Sequence, residues 1–369
     1  MITEKAYDRA IEVLEKCKTP NGFFAAYPGY QGVWSRDSVI TSLGASLIEE
    51  RFKDTFKESL KTLGKNQSLK GQIPNAVLFG SDNGKVDYKS IDSTLWFIIG
   101  HYLFKSRYND SSLLKTYEKN IRSGMTWLSY QDSGEDHLLE QQPTSDWQDA
   151  FPHRYGHTIN TQALWYKTLT LVGNKKEAER VKEICNKDKE DGLWNGKYYY
   201  SFRWKNHNKY KEFSDWFDTL GNLLAILFDL ADKKRAESIL DYIKKEKIDS
   251  PYPIKAMHPP IDKKSKYWYD YFEDCEARSP HHYLNGGIWT FIGGFYVCAL
   301  VKLNRFKEAE IQLQNLAEAN LQNNGNFAEW LHGQTGKIGK TQDIESYQAW
   351  NAGTYILAYE SLKKKKSLI

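Results

Sequence analysis

Cysteine and methionine are scarce in this chain, at four and three residues among 369. Cys17, Cys185, Cys275 and Cys298 lie far apart with no metal-ligand spacing, so they read as free, mostly buried thiols in a reducing compartment. No apolar run approaches the roughly 20 residues of a membrane span. The opening MITEKAYDRAIEVLEK is charged and amphipathic, unlike a signal peptide, and a cytoplasmic location is the expectation. Excess charge is also lacking. Lys and Arg number 51 against 47 Asp and Glu, a net +4, which favours neither a nucleic-acid nor a membrane-surface partner. The run Lys363–Lys366 reads as a solvated tail. HExxH, a Gly-rich phosphate loop and a GxSxG elbow are all missing, so no metal or organic cofactor is expected.

Aromatic residues, in contrast, are abundant: 14% of the chain, with 12 Trp and 24 Tyr. Many sit among Gly, Asn, Asp and His, in loop-like surroundings, where they would line a pocket as well as a core. The stretch from Gln141 to Tyr166, QQPTSDWQDAFPHRYGHTINTQALWY, is the densest example. Asp146 and Asp149 flank Trp147, then come His153, Arg154 and His157, and an apolar run begins at Ile159. Carboxylates beside an aromatic face suit sugar chemistry, because a pyranose offers hydroxyls at its edge and C–H groups on its face.

The same loop-then-helix pattern recurs. Apolar helices, buried on most sides, are expected to begin near Asp37, Asp92, Thr158, Asp215, Gly287 and Gln348. One-sided helices are expected near 4–17, 53–63, 112–129, 176–186, 233–245 and 306–320, the first capped by Thr3. LWYKTLTLVGNKKEAERVKEI, LLAILFDLADKKRAESILDYI and YVCALVKLNRFKEAEIQLQNL form a loose repeat aligned on Ala178, Ala236 and Ala309. An inner ring buried on both sides favours a closed toroid over an open superhelix. The expected fold is therefore all-α, a single (α/α)6 barrel over residues 1–369, with no strands beyond short hairpins in the loops.

In each of the six units the unusual residues precede the inner helix: VWSRD (33–37), DYKSIDS (87–93), SDWQDAFPHRYGH (145–157), FSDWFD (213–218), HHYLNGGIW (281–289), and FAEWLHG continuing to YQAW (327–350). In a barrel these loops share one face, with helix N-termini aiming N–H groups into it. Glycosidic cleavage needs a proton donor and a second carboxylate across the sugar. That face offers Asp37, Asp92, Asp146, Asp149, Asp215, Asp218, Glu329, Asp343 and Glu345, and the residues alone do not select a pair. Each has a plainer use as a helix cap or hydrogen-bond acceptor, Asp37, Asp92 and Asp215 above all. Arg36 is either a structural ion-pair partner or a fork for sugar hydroxyls. Trp34, Trp147, Trp289, Trp330 and Trp350 are core residues or stacking platforms. His153, His157, His281, His282 and His332 show no ligand spacing.

WSRDS resembles the WGRD segment of amylo-α-1,6-glucosidases, the glucosidase part of glycogen debranching enzymes. IDSTLWFI is similar to their DATLWF, and SDWQDA followed by INTQALWY to their TWMDA and VNALWY; YLNGGIW and QAW also have counterparts. DTLGN and the Gly-Gly-Ile-Trp stretch resemble neutral and alkaline invertases, which share the fold. The resemblance runs from Trp34 to Trp350 with the motifs in order. It implies an inverting glycoside hydrolase on an (α/α)6 barrel, with Asp149 as general acid and Glu329 as general base. Trp34, Arg36, Asp37, Asp92, Trp147, Asn285, Trp289 and Trp350 would then surround the terminal sugar of a small carbohydrate substrate. Two departures stand out: no added N-terminal domain fits before residue 21, and Phe-Pro-His-Arg replaces the Asp-Arg-Arg run of invertases.

Three functions compete at this point. The first is an exo-acting hydrolase of a small α-glucoside, with sucrose cleavage as its variant. The second is a sugar epimerase or isomerase, and the third a carbohydrate-binding protein without catalysis. Product analysis separates the first two, and Asp149→Asn separates the first from the third.

Overall fold

Two kinds of helix alternate along the chain, and burial tells them apart. The computed structural model describes residues 1–188, 190–214, 216–274, 279–339 and 346–369. Its helices begin with α1 (Ile2–Cys17), α2 (Ser35–Ala45), α3 (Lys53–Lys65), α4 (Asp92–Tyr108), α5 (Ser112–Thr116) and α6 (Glu118–Ser129). Then follow α7 (Ile159–Leu171), α8 (Lys175–Cys185), α9 (Thr219–Leu227) and α10 (Lys233–Lys245). The last are α11 (Thr290–Lys302), α12 (Phe306–Asn320), α13 (Gln322–Gly325) and α14 (Ala349–Lys363).

Every residue of α2 and α9 is buried, and α11 is buried except at Lys302. Such all-round burial requires neighbours on both sides. The contacts supply them in cyclic order: α2 packs on α4, α4 on α7, α7 on α9, α9 on α11, α11 on α14, and α14 back on α2. Small residues permit the close approaches. A Cβ on Gly44 would lie 1.8 Å from the carbonyl oxygen of Gly353, so α2 and α14 touch backbone to backbone there.

Outside this ring, α3, α6, α8, α10, α12 and α1 lie against α2, α4, α7, α9, α11 and α14 respectively. Each buries one stripe. α8 buries Ala178, Val181 and Cys185, and α10 buries Ala236, Ile239, Leu240 and Ile243, spacings of three and four that keep Lys and Glu in water. Asn174 and Asp232 cap these two helices, accepting from the backbone N–H groups of Glu177 and Arg235.

Strands are short and lie in the loops; among the described residues they form three two-stranded and two three-stranded sheets. Their placement matters more than their length. Gly32–Trp34, His157–Thr158, Phe217–Asp218 and Tyr347–Gln348 each run directly into an inner helix. Each pairs with another loop segment, so the residues at the helix mouths are fixed by backbone hydrogen bonds.

Helix capping differs from expectation. α1 starts at Ile2, with Thr3 inside it and the Met1 ammonium donating to Glu4. Asp37 and Asp92 lie inside the first turns of α2 and α4, where the N-cap positions are Trp34 and Ile91; there a carboxylate still meets the positive end of the helix dipole. Asp215, Cys275, Asp343 and Glu345 lie outside the described residues. Among the described residues, no helix is long and apolar enough to cross a membrane.

Candidate active site

One pocket gathers residues from distant parts of the chain. Its wall is made by Trp34, Arg36, Asp37, Trp147, Asp149, Trp289, Glu329 and Trp350, together with Ala25, Tyr30, Tyr283 and Gln348. The space open to water centres is about 90 Å³.

Several of these side chains come from helix mouths. Trp34 ends the strand Gly32–Trp34, paired with Ala76, and Arg36 and Asp37 follow in the first turn of α2. Trp289 and Trp350 stand at the starts of α11 and α14. The indoles are set by one another. Trp147 stands edge-on to Trp289 and Phe291 at 5.8 and 5.5 Å, and Trp350 lies flat on Phe291 at 4.0 Å.

Asp149 sits in the long loop between α6 and α7, and buried polar contacts fix that loop. Gln141 and Gly156 exchange backbone hydrogen bonds at its base, 2.9 and 3.0 Å. Arg154, 1% exposed, donates to Asp146 within the loop and to Asp218 before α9, the latter at 2.5 Å. The Ile91 amide, just before α4, donates to the Ser145 carbonyl at 2.7 Å. Glu329 is bracketed in a similar way. Asn351 of α14 donates to the carbonyls of Phe327 and Ala328, and Leu331 exchanges backbone bonds with Ile288 at 2.7 and 2.8 Å.

The electrostatics follow from burial. Burial pushes the Asp149 carboxyl above its ordinary range, Arg36 pulls it down, and the charges of Asp146 and Asp92 push it up again. Asp37 is pushed up to about 6 by burial, with Arg36 opposing and Asp149 and Asp92 reinforcing. Burial works against the Arg36 charge, yet Asp92, Asp37 and Asp149 together hold the guanidinium more firmly protonated than usual. Several buried polar atoms on the pocket-lining residues have no hydrogen-bonding partner among the described residues: Nε1 of Trp147 and of Trp350, Nε of Arg36 and Oδ2 of Asp37. Buried polar groups are normally paired; of these four atoms, Arg36 Nε and Asp37 Oδ2 face each other at 3.6 Å as an ion pair.

Two expected pocket residues are placed elsewhere. Asp92 is fully buried behind Arg36, whose Nη1 it accepts at 3.2 Å on both oxygens, and Ser90 also donates to it. Asn285 is likewise fully buried; its amide exchanges two 2.7 Å bonds with the backbone of Ile261. Neither lines the pocket, and the polar atoms of both are engaged by the protein. Tyr30, Tyr283 and Gln348 also reach the pocket; Tyr283 and Gln348 lie within the HHYLNGGIW and YQAW motifs but are not among the candidates read from the sequence. His281, His282 and His332 cluster, with ring centroids 4.8 Å apart for His282 and His332. Among the described residues, no group of three or more His, Cys, Asp or Glu is arranged to hold a metal ion.

A mostly helical fold carrying this pocket belongs to the glycoside hydrolase superfamily. Within it, residues 8–357 match the amylo-alpha-1,6-glucosidase family, and the chain belongs to that family. Among solved structures, a GH63 mannosylglycerate hydrolase from Thermus thermophilus, in complex with Tris and D-glycerate, is similar at a TM-score of 0.70. That pair shares 12% identity, covering 95% of this chain and 99% of the other. A glycosidase variant in complex with glucose gives a TM-score of 0.68 at 13% identity, over 98% and 97% of the two chains. At these identities the likeness is one of fold. A probable alkaline/neutral invertase D of Arabidopsis thaliana is 33% identical over 147 residues, 39% of this chain and 26% of the relative. Cytosolic invertase 1 of Oryza sativa subsp. japonica is 28% identical over 157 residues, 42% of this chain and 26% of the relative. The matched stretch thus spans about a quarter of each of these two invertases.

Proposed function

We propose that this protein is an inverting, exo-acting glycoside hydrolase of a small α-glucoside. Asp149 is its general acid and Glu329 its general base, on an (α/α)6 barrel. The observation that carries the reading is the meeting of Asp149 and Glu329, remote in sequence, on the wall of one tryptophan-lined pocket. The cyclic packing of six buried helices, each backed by an outer one, supports the barrel.

The terminal sugar rests its C–H face on indole and its hydroxyls on Arg36, Asp37 and the indole N–H groups. Asp149, whose hold on its proton burial strengthens, gives that proton to the glycosidic oxygen as the C–O bond breaks. Glu329 takes a proton from a water that attacks the anomeric carbon from the other face, so the released sugar has the inverted configuration. That water must fit between base and carbon, and inversion requires carboxyls about 6.5–9.5 Å apart. The pocket is small, about 90 Å³, which favours a single terminal sugar over an extended chain.

Sucrose is the second reading, favoured by the invertase relatives. The purified protein is to be incubated with sucrose, trehalose, isomaltose, panose, glucosylglycerate and a limit dextrin, and released sugars identified. Hydrolysis of one or more, absent in Asp149→Asn, is the expected result. Interconversion of a free sugar without bond cleavage would replace this reading with an epimerase.

A further inference from the structure

A second, larger cavity opens among the C-terminal turns of the inner helices, away from Asp149 and Glu329. It offers about 300 Å³ to water centres, against about 90 Å³ in the active-site pocket. Leu43 of α2, Trp96 and Ile99 of α4, Leu171 of α7 and Phe228 after α9 supply apolar walls. Leu43 lies about two turns beyond Arg36 in α2, or about 10 Å of helix axis. The two cavities share no lining residue.

Three cations interrupt the apolar wall, Arg107, Lys167 and Lys366, the last beside Ser367, Leu368 and Ile369. Among the described residues neither Arg107 nor Lys167 makes an ion pair. The carboxylate that acts on Lys167 is Asp229, and Lys302 already holds it at 2.7 Å. The Lys167 ammonium lies 5.2 Å above the Phe228 ring. Arg107 gives Nη2 to the Leu368 carbonyl, while its Nε is buried with no partner. Burial pulls both groups below their ordinary pKa, with Lys302 adding to the effect at Lys167. Nearby helix C-termini favour positive charge. That accounts for the sign of these groups, but not for the orphaned Nε or for two unpaired cations at one cavity.

Apolar walls with a small number of placed polar groups characterise ligand sites, and half-buried cations without an ion-pair partner favour an anion. We propose that this cavity binds an amphiphilic organic anion, a medium-chain fatty carboxylate. Its alkyl chain lies along Leu43, Trp96 and Phe228, and its carboxylate is met by Arg107 and Lys167. This site is independent of the glycosidase reading.

The test is calorimetric titration of the full chain with decanoate and with decanol, below micellar concentrations and at about pH 8. Decanoate should bind saturably and at least tenfold more tightly than decanol. Lys167→Met and Arg107→Met, each checked for an unchanged folding transition, should bring decanoate to the level of decanol. A terminally brominated decanoate should quench tryptophan fluorescence in the parent and markedly less in Trp96→Phe. Absence of saturable decanoate binding, equal affinity for the alcohol, or quenching unaltered by Trp96→Phe would overturn the proposal. The comparison of the two ligands on the parent protein decides it even where a variant fails to fold.

Discussion

Arg36 donates through one nitrogen, Nη1, to both carboxylate oxygens of Asp92 at 3.2 Å, and so ties the first turn of α2 to the first turn of α4. The other side of the same guanidinium lies 3.6 Å from Asp37, which lines the pocket. A buried pair of this kind contributes position more than stability. Asp92→Asn should therefore cost up to about 3–5 kcal/mol, because it removes the largest of the charges that hold Arg36 and leaves it the longer contact with Asp37. The double change Arg36→Met with Asp92→Leu should recover most of that loss without recovering turnover. Denaturant melts and initial rates on the pair distinguish structural anchoring from direct contact with substrate.

Asp149→Asn removes the proton donor and should lower kcat by about 10²–10⁴ on an ordinary glycoside. A glucosyl fluoride, whose leaving group needs little protonation, should be spared most of that loss. Glu329→Gln should lose activity on both substrates, since water must be activated in either case. Equal losses on both substrates in the two variants would remove the assignment of acid and base.

Asp37 titrates at about 6, above the ordinary 3.8, so the folded protein holds its proton more tightly than the unfolded chain. Its contribution to stability is present in full below about pH 4 and is lost as the pH rises through about 6. Asp37→Asn abolishes this titration. Stability of the variant relative to the parent should therefore climb between about pH 4 and pH 7, by up to about 3 kcal/mol. The substitution also removes a charge that couples to Asp149. The alkaline limb of kcat/KM, where the acid loses its proton, should move to lower pH.

Trp34 is half-buried at the pocket wall, edge-on to Tyr30 at 5.8 Å, and unlike Trp350 it has, among the described residues, no flat stack with another ring to lose. Trp34→Ala should therefore raise KM by about 2- to 12-fold, the equivalent of 0.5–1.5 kcal/mol of aromatic contact. The folding transition should change little. Trp350→Ala, by contrast, opens a hole against Phe291 and should destabilise by about 3–5 kcal/mol.

Periodicity made both rings of helices readable, because burial on one stripe or all round leaves a direct mark on the spacing of apolar residues. Ala178, Ala236 and Ala309, aligned as a repeat, are buried on three outer helices. The loops before the inner helices are marked out in sequence by their Trp and Asp residues, and several of these residues meet at one pocket. Direction within a loop was not legible. Asp92 and Asp37 each begin an apolar helix, yet one is hidden behind Arg36 and the other lines the pocket, a difference set by α2 against α4. Asn285 reads as a polar contact, but tertiary packing spends its amide on Ile261. Arg154, which in sequence is only a neighbour of histidines, binds Asp146 and Asp218. Nothing local to it announces Asp218, which arrives from another unit. Short hairpins are expected in the loops, but their placement at the helix mouths was not legible, since two residues carry too little pattern to register.

The anomer released in the first turnover of an α-glucoside tests the joint action of Asp149 and Glu329 most directly. Proton NMR of the fresh reaction, before mutarotation, should show β-glucose appearing first. First appearance of α-glucose would mean retention through a covalent intermediate and would contradict the pairing of a general acid with a water-activating base.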